Sequence, residues 1–145
     1  MIAQTEKLAA VRNLIAAELP AHAAEAHDDM PIAPRWEVYE ALEKDGRLLI
    51  VTLREGLAFA GYCSILIMAP LHHGKSIEAM IDVFWVNPQF RGRQGGRRLF
   101  RKAEEELRKI GVERWLGLSR LACDSAALFR ACGFRPIETL YERRL

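Results

Sequence analysis

Hydrophobic residues recur along the chain at two spacings, and the changes between them mark out its elements. Between Gln4 and Leu19, the residues Leu8, Val11, Leu14, Ile15 and Leu19 return every three or four positions. That is the period of one helical face, and Pro20 closes the segment. Residues 21–34 show no period and read as a loop, alone or with a short helix. Arg35 to Lys44 returns to helical spacing with Trp36, Val38, Tyr39 and Leu42 inward, and Asp45-Gly46 ends it. The pattern then changes to apolar, β-rich runs over 48–53 and 57–68, parted by Arg54-Glu55-Gly56, which predicts a hairpin.

A third strand is predicted from Ser76 to Val86. A helix follows from Gln94 to Ile110, with Leu99, Phe100, Ala103, Leu107 and Ile110 as its apolar stripe and Gly111 after it. Arg114 to Leu118 reads as a short strand, Asp124 to Cys132 as a short helix and Arg135 to Tyr141 as a closing strand. This order predicts one domain over residues 1–145, with a mixed sheet and helices on its faces.

Composition narrows the function classes. With 145 residues and 50% hydrophobic content, the chain can bury a core and is not disordered. The longest apolar stretch, Leu57 to Leu71, is broken by Gly61, Ser64 and Pro70 and is too short to cross a bilayer. No basic segment followed by an apolar block opens the chain, so a cytoplasmic protein without a membrane partner is expected. Cys63, Cys123 and Cys132 are odd in number and lack ligand spacing. His22 and His27, five apart, read as surface residues, as do His72 and His73 in a later loop. No metal site is expected.

The net charge of +2 does not indicate a nucleic-acid partner for the whole protein, but its distribution is uneven. Basic residues crowd the junction between the third strand and the long helix. The first N–H groups of a helix lack internal partners and sit at the positive end of its dipole, and glycine lets an anion approach the backbone. Gly92, Gly95 and Gly96 lie at this junction, among Arg91, Arg93, Arg97 and Arg98. The stretch predicts a diphosphate site.

The same stretch resembles the GNAT superfamily of acetyl-CoA-dependent N-acetyltransferases. Members typically carry a strand ending in Val-x-Pro, then Gln/Arg-x-x-Gly-x-Gly/Ala and a helix. Here Val86-Asn87-Pro88-Gln89-Phe90-Arg91-Gly92-Arg93-Gln94-Gly95-Gly96 is similar. A late Leu-Tyr-x-x-x-Gly-Phe of the superfamily is matched by Leu128-Phe129-Arg130-Ala131-Cys132-Gly133-Phe134. Together with Leu71 to Ser76 and the ending Gly133 to Tyr141, the chain also resembles small members encoded by phages and prophages.

The resemblance implies an α/β chain of the α+β kind, with a single mixed, mostly antiparallel β-sheet flanked by helices. It implies acetyl-CoA as acetyl donor, with backbone groups of Trp85 and Val86 along the pantetheine arm and the turn from Arg91 through Gly92, Arg93, Gln94, Gly95 and Gly96 to Arg97 at the pyrophosphate. Arg91 and Arg93 are the arginines expected at the phosphates. Two positions depart from the pattern. Gln94 stands where a glycine or alanine is usual, and Phe129 stands near the cofactor where many members have a tyrosine that protonates the departing thiolate.

Acetyl transfer to a primary amine needs a base for the amine proton. Asp82 lies on the strand leading to the turn, and two-residue periodicity places it on one face with Phe84, Val86 and Glu78. Asp82 is the expected catalytic carboxylate, with Glu78 second. The acceptor is expected to be a small-molecule or peptide amine, chosen by residues 21–36 and 69–75. A non-catalytic acyl-CoA-binding or protein-interaction module of the same fold is the rival reading. An exposed closing strand would also suit pairing into a homodimer.

Overall fold

The computed structural model describes residues 1–145. Its elements are β1 (Ile2–Thr5), α1 (Leu8–Glu25), α2 (Trp36–Lys44), β2 (Leu48–Glu55), β3 (Ala58–Met68), β4 (Glu78–Val86), a 3-10 turn (Pro88–Phe90), α3 (Gly95–Lys109), β5 (Arg114–Leu116) and α4 (Ala126–Ala131). The strands form one sheet in the order β1-β2-β3-β4-β5. Neighbours from β1 to β4 are antiparallel, and β5 runs parallel to β4. The expected mixed, mostly antiparallel sheet flanked by helices is what the chain forms.

Both faces of the sheet are covered, so its central strands bury side chains in both directions. Val51, Leu53, Cys63, Ile65, Ala79, Ile81 and Val86 pack with Leu99, Phe100, Ala103 and Leu107 of α3 and Phe129 of α4. Leu48, Ile50, Tyr62 and Trp85 pack on the other face with Leu8, Val11 and Ile15 of α1, while Trp36, Tyr39 and Leu42 of α2 close the edge. Burial on both faces explains why the hairpin runs read as nearly continuous apolar stretches rather than alternating ones. Val38, expected inward, is exposed.

Three elements differ from the sequence expectation. β1 precedes the first helix; its four mostly exposed residues show no apolar alternation, and only pairing with β2 makes them a strand. α1 does not stop at Pro20 but continues to Glu25, its second half held by contacts with β4 and the turn described below. The closing strand at Arg135 to Tyr141 is not formed. Ile137, Leu140 and Tyr141 are exposed, and no backbone hydrogen bond joins this segment to the sheet. β-propensity expresses fit to a half-buried pleated surface, and this segment meets none. The strand on which the homodimer expectation rested is therefore absent.

Candidate active site

Two irregularities in β4 open the site. β5 pairs with β4 only over Glu78, Ala79 and Met80, so the outer edge of β4 is free from Ile81 to Val86. Between β3 and β4 the register shifts: Ser64 faces Val83 and Ile65 faces Ile81, leaving Asp82 as an extra residue. Such a bulge re-aims side chains. A cleft of about 810 Å³ lies along this edge, lined by Ile81 to Val86, the turn, the second half of α1 and the start of α4.

The turn leaves a run of backbone amides free. The Asn87 side chain accepts the Gln89 N–H at 3.2 Å and starts the 3-10 turn that Pro88 favours. Gly92 then takes φ +76°, and Gln94, the N-cap of α3, takes φ +60°. The departure at Gln94 is thus a left-handed residue other than glycine, with an exposed side chain. The N–H groups of residues 92–97 meet no acceptor in the protein; Arg98, bonded to the Gln94 carbonyl at 3.1 Å, is the first amide of α3 to find one. Successive free amides around left-handed residues form an anion-binding concavity. Gly92, Gln94, Gly95, Gly96 and Arg97 all line the cleft, and Arg97 has no carboxylate partner.

The other arginines have different work. Arg91 forms a two-pronged pair with Glu25 at 2.7 Å, donates from Nε to the Val86 carbonyl at 2.8 Å, and stacks 4.9 Å from the Trp85 ring. It fastens the end of α1 to β4 and occupies one backbone group of the free edge. Arg93 lies off the cleft, 3.9 Å from Glu55. Of Arg91, Arg93 and Arg97, Arg97 alone both lines the cleft and lacks a carboxylate partner.

Trp85 is held from several sides. Its indole N–H donates to Glu18 at 2.8 Å, Asn87 donates to the same carboxylate at 3.3 Å, and the His22 ring lies 5.3 Å away. His22 lines the cleft instead of lying on the open surface. Burial pushes its pKa below the usual histidine range, assisted by Arg120 and opposed by Glu25, Asp28 and Asp82. Cys123 donates to Glu25 at 3.2 Å, and that bond, with partial burial, raises the thiol pKa. A thiol that keeps its proton is a poor nucleophile.

Asp82 reaches the cleft, but not on the expected face. Phe84 and Val86 turn toward α3, whereas the bulge leaves Asp82 toward α2. There its carboxylate accepts from the Ser64 hydroxyl at 3.2 Å and, at a long 3.4 Å, from Tyr39. Burial and the Asp82 charge push the Tyr39 pKa up to about 12, so the phenol remains a donor at neutral pH. Glu78 lies at the other end of β4, 7% exposed and ion-paired with Arg114 of β5. It is not part of the cleft lining and secures β4 to β5.

Phe129 is likewise outside the cleft lining, 8% exposed and packed against Phe100 and Phe134 at centroid distances of 5.3 and 5.0 Å. His22 and Glu18 were not legible as site residues. His22 follows Pro20, which marked a helix end, and the register of Glu18 against Trp85 is a long-range contact with no local signature. His27, His72 and His73 are exposed as expected. No group of three or more His, Cys, Asp or Glu side chains converges as a metal site, and no helix is long and apolar enough to cross a membrane.

Comparison with known proteins bears on the fold and the family. No curated protein matches the sequence. Solved structures match at full length. An aminoglycoside acetyltransferase from an uncultured soil metagenomic sample, in complex with sisomicin, shares 12% identity, covers 99% of this chain and 93% of its own, and superposes with a TM-score of 0.76. A predicted acetyltransferase with acetyl-CoA from Clostridium acetobutylicum shares 10% identity over 98% and 94%, with a TM-score of 0.75. Glucosamine-6-phosphate N-acetyltransferase from Arabidopsis thaliana shares 12% over 98% and 96%, with a TM-score of 0.70. At these identities the likeness is one of fold. The model of the acetyltransferase (GNAT) family matches residues 8–134. The sheet opened beside β4, the free amides before α3 and this match over most of the sequence lead to one conclusion: the chain belongs to the GNAT acetyltransferase family.

Proposed function

We propose that the protein transfers the acetyl group of acetyl-CoA to a primary amine by direct attack, with Asp82 as the base. The observation that carries this is the placement of Asp82 in the same cleft as Gly92, Gln94, Gly95, Gly96 and Arg97, whose amides are free. Acetyl-CoA brings an acyl group already activated as a thioester. The amides with Arg97 hold its diphosphate, and the free edge of β4 around Trp85 and Val86 takes the pantetheine arm. The amine nitrogen attacks the thioester carbonyl carbon, the C–S bond breaks, an amide forms, and the thiolate leaves.

Asp82, directly or through a water molecule, takes the proton lost by the amine. Tyr39 and Ser64 stay as donors and keep its carboxylate aimed into the cleft. Phe129 has no proton for the thiolate, so that proton comes from water or from Ser125, a hydroxyl of the cleft lining. Direct attack is favoured over an acyl-cysteine route because Cys123, the thiol of the cleft, donates to Glu25 and has a raised pKa.

Asp82→Asn is expected to cut kcat by about a hundredfold or more, the usual contribution of a positioned base. Stabilisation by acetyl-CoA in a thermal melt should be unchanged. At a hundredfold excess over Kd this amounts to about 2.7 kcal/mol in either protein. Wild-type turnover in the variant would remove Asp82 from the mechanism; lost stabilisation would assign it to cofactor binding. The non-catalytic rival predicts acetyl-CoA binding with no amine-dependent release of CoA.

A further inference from the structure

The walls of the cleft differ in chemistry. One end carries the free amides and Arg97. Another part of the lining, from the second half of α1 and the segment after it, is apolar and includes Leu19, Ala23, Ala26, Met30 and Ile32. Met30 and Ile32 are 61% and 47% exposed. Large apolar side chains left in water on the wall of a concave site mark a surface that a ligand covers.

The charges narrow the ligand further. Four carboxylates line the cleft. Glu25 is paired with Arg91 and Asp28 with Arg120, the latter at 3.5 Å. Asp124 accepts from the Ser119 hydroxyl and the Ala126 amide ahead of α4. Asp82 alone reaches the cleft with only the hydroxyls of Tyr39 and Ser64 beside it. One carboxylate is therefore free to meet an ammonium group, and Arg91, Arg97 and Arg120 oppose a second cation in the same space.

Resting on the acetyltransferase reading, we infer that the acceptor is a primary monoamine with an apolar body. Its nitrogen docks at Asp82, and its body covers the wall formed by Leu19, Ala23, Met30 and Ile32. A polycation would leave further ammonium groups in the cleft with no free carboxylate, a costly burial. A sugar amine would set hydroxyls against carbon and leave them unpaired. The acceptor thus differs in class from the aminoglycoside in the solved relative described above.

The test measures binding apart from turnover. Phenethylamine, spermidine and sisomicin are titrated by calorimetry into the protein saturated with CoA, where no acetyl group is present. CoA release from acetyl-CoA is followed separately with the same amines. Phenethylamine is expected to bind at least tenfold more tightly than either polycation. Ile32→Asp, an exposed loop change that the fold tolerates, is expected to weaken phenethylamine severalfold and strengthen spermidine.

Tighter binding of either polycation, equal binding of all three, no binding, or an Ile32→Asp protein with unchanged preferences would overturn the acceptor assignment. Phenethylamine binding of the expected strength with no CoA release from any amine would support the acceptor class as a ligand and contradict the acetyl-transfer reading. CoA release that favours a polycation would support acetyl transfer and contradict the acceptor class.

Discussion

His22 is a partly buried residue of the cleft lining. It faces Trp85 from α1, with Glu25 and Asp28 near its own helix, Asp82 across on β4 and Arg120 ahead of α4. Burial, chiefly, holds its folded pKa below the ordinary histidine value. The unfolded chain then binds more protons in the interval between the two pKa values, so stability rises with pH there. The contribution is present above the unfolded value and lost as pH falls through the folded one. The urea midpoint is expected to drop between pH 7 and pH 5, and His22→Gln should flatten part of that drop. A variant with the same slope as wild type would show that His22 does not titrate differently in the folded protein.

At the scale of elements, the site depends on how β4, α3 and α4 meet. α4 reaches the sheet through Phe129, whose ring rests where a Cβ on Gly117 would stand, 2.2 Å from the nearest ring atom. Gly117→Ala must therefore displace the ring or move the chain after β5. The expected cost is that of overpacking, about 1–3 kcal/mol, read as a lower urea midpoint with an unchanged slope. A fully stable Gly117→Ala protein would mean that α4 is loosely seated. Gly96 meets Leu128 and Phe84 in the same way, at 2.7 and 3.1 Å, so α3 and α4 can approach only because that position has no side chain. This gives Gly96 a packing role as well as a place in the turn before α3.

Across the whole molecule, the readable part of the sequence was the part governed by local rules. Period two and period 3.6 placed β2, β3, β4, α2 and α3 within a few residues, and the glycine and arginine pattern located the turn before α3. What long-range contact decides was not readable: β1 exists because β2 pairs with it, α1 passes Pro20 because Arg91 and Trp85 hold its second half, and Arg135 to Tyr141 finds no partner strand. Asp82 was read on the wrong face of β4. Strict alternation put it beside Phe84 and Val86, and the bulge moved it to the face of Tyr39 and Ser64. Arg91 and Arg93 were preferred to Arg97 in sequence because they adjoin Gly92, and the carboxylates of Glu25 and Glu55 that engage them come from distant parts of the chain.

The measurement that bears most directly on acetyl transfer is an isotope-balance assay. The protein is incubated with acetyl-CoA labelled in its acetyl carbon and with phenethylamine, and the labelled amide and the free CoA thiol are quantified together. Equal amounts of the two, growing with time and with protein concentration, are the expected result. Acetyl-CoA that binds and stabilises the protein yet yields no labelled amide with any primary amine would contradict the account and leave a binding module of the same fold.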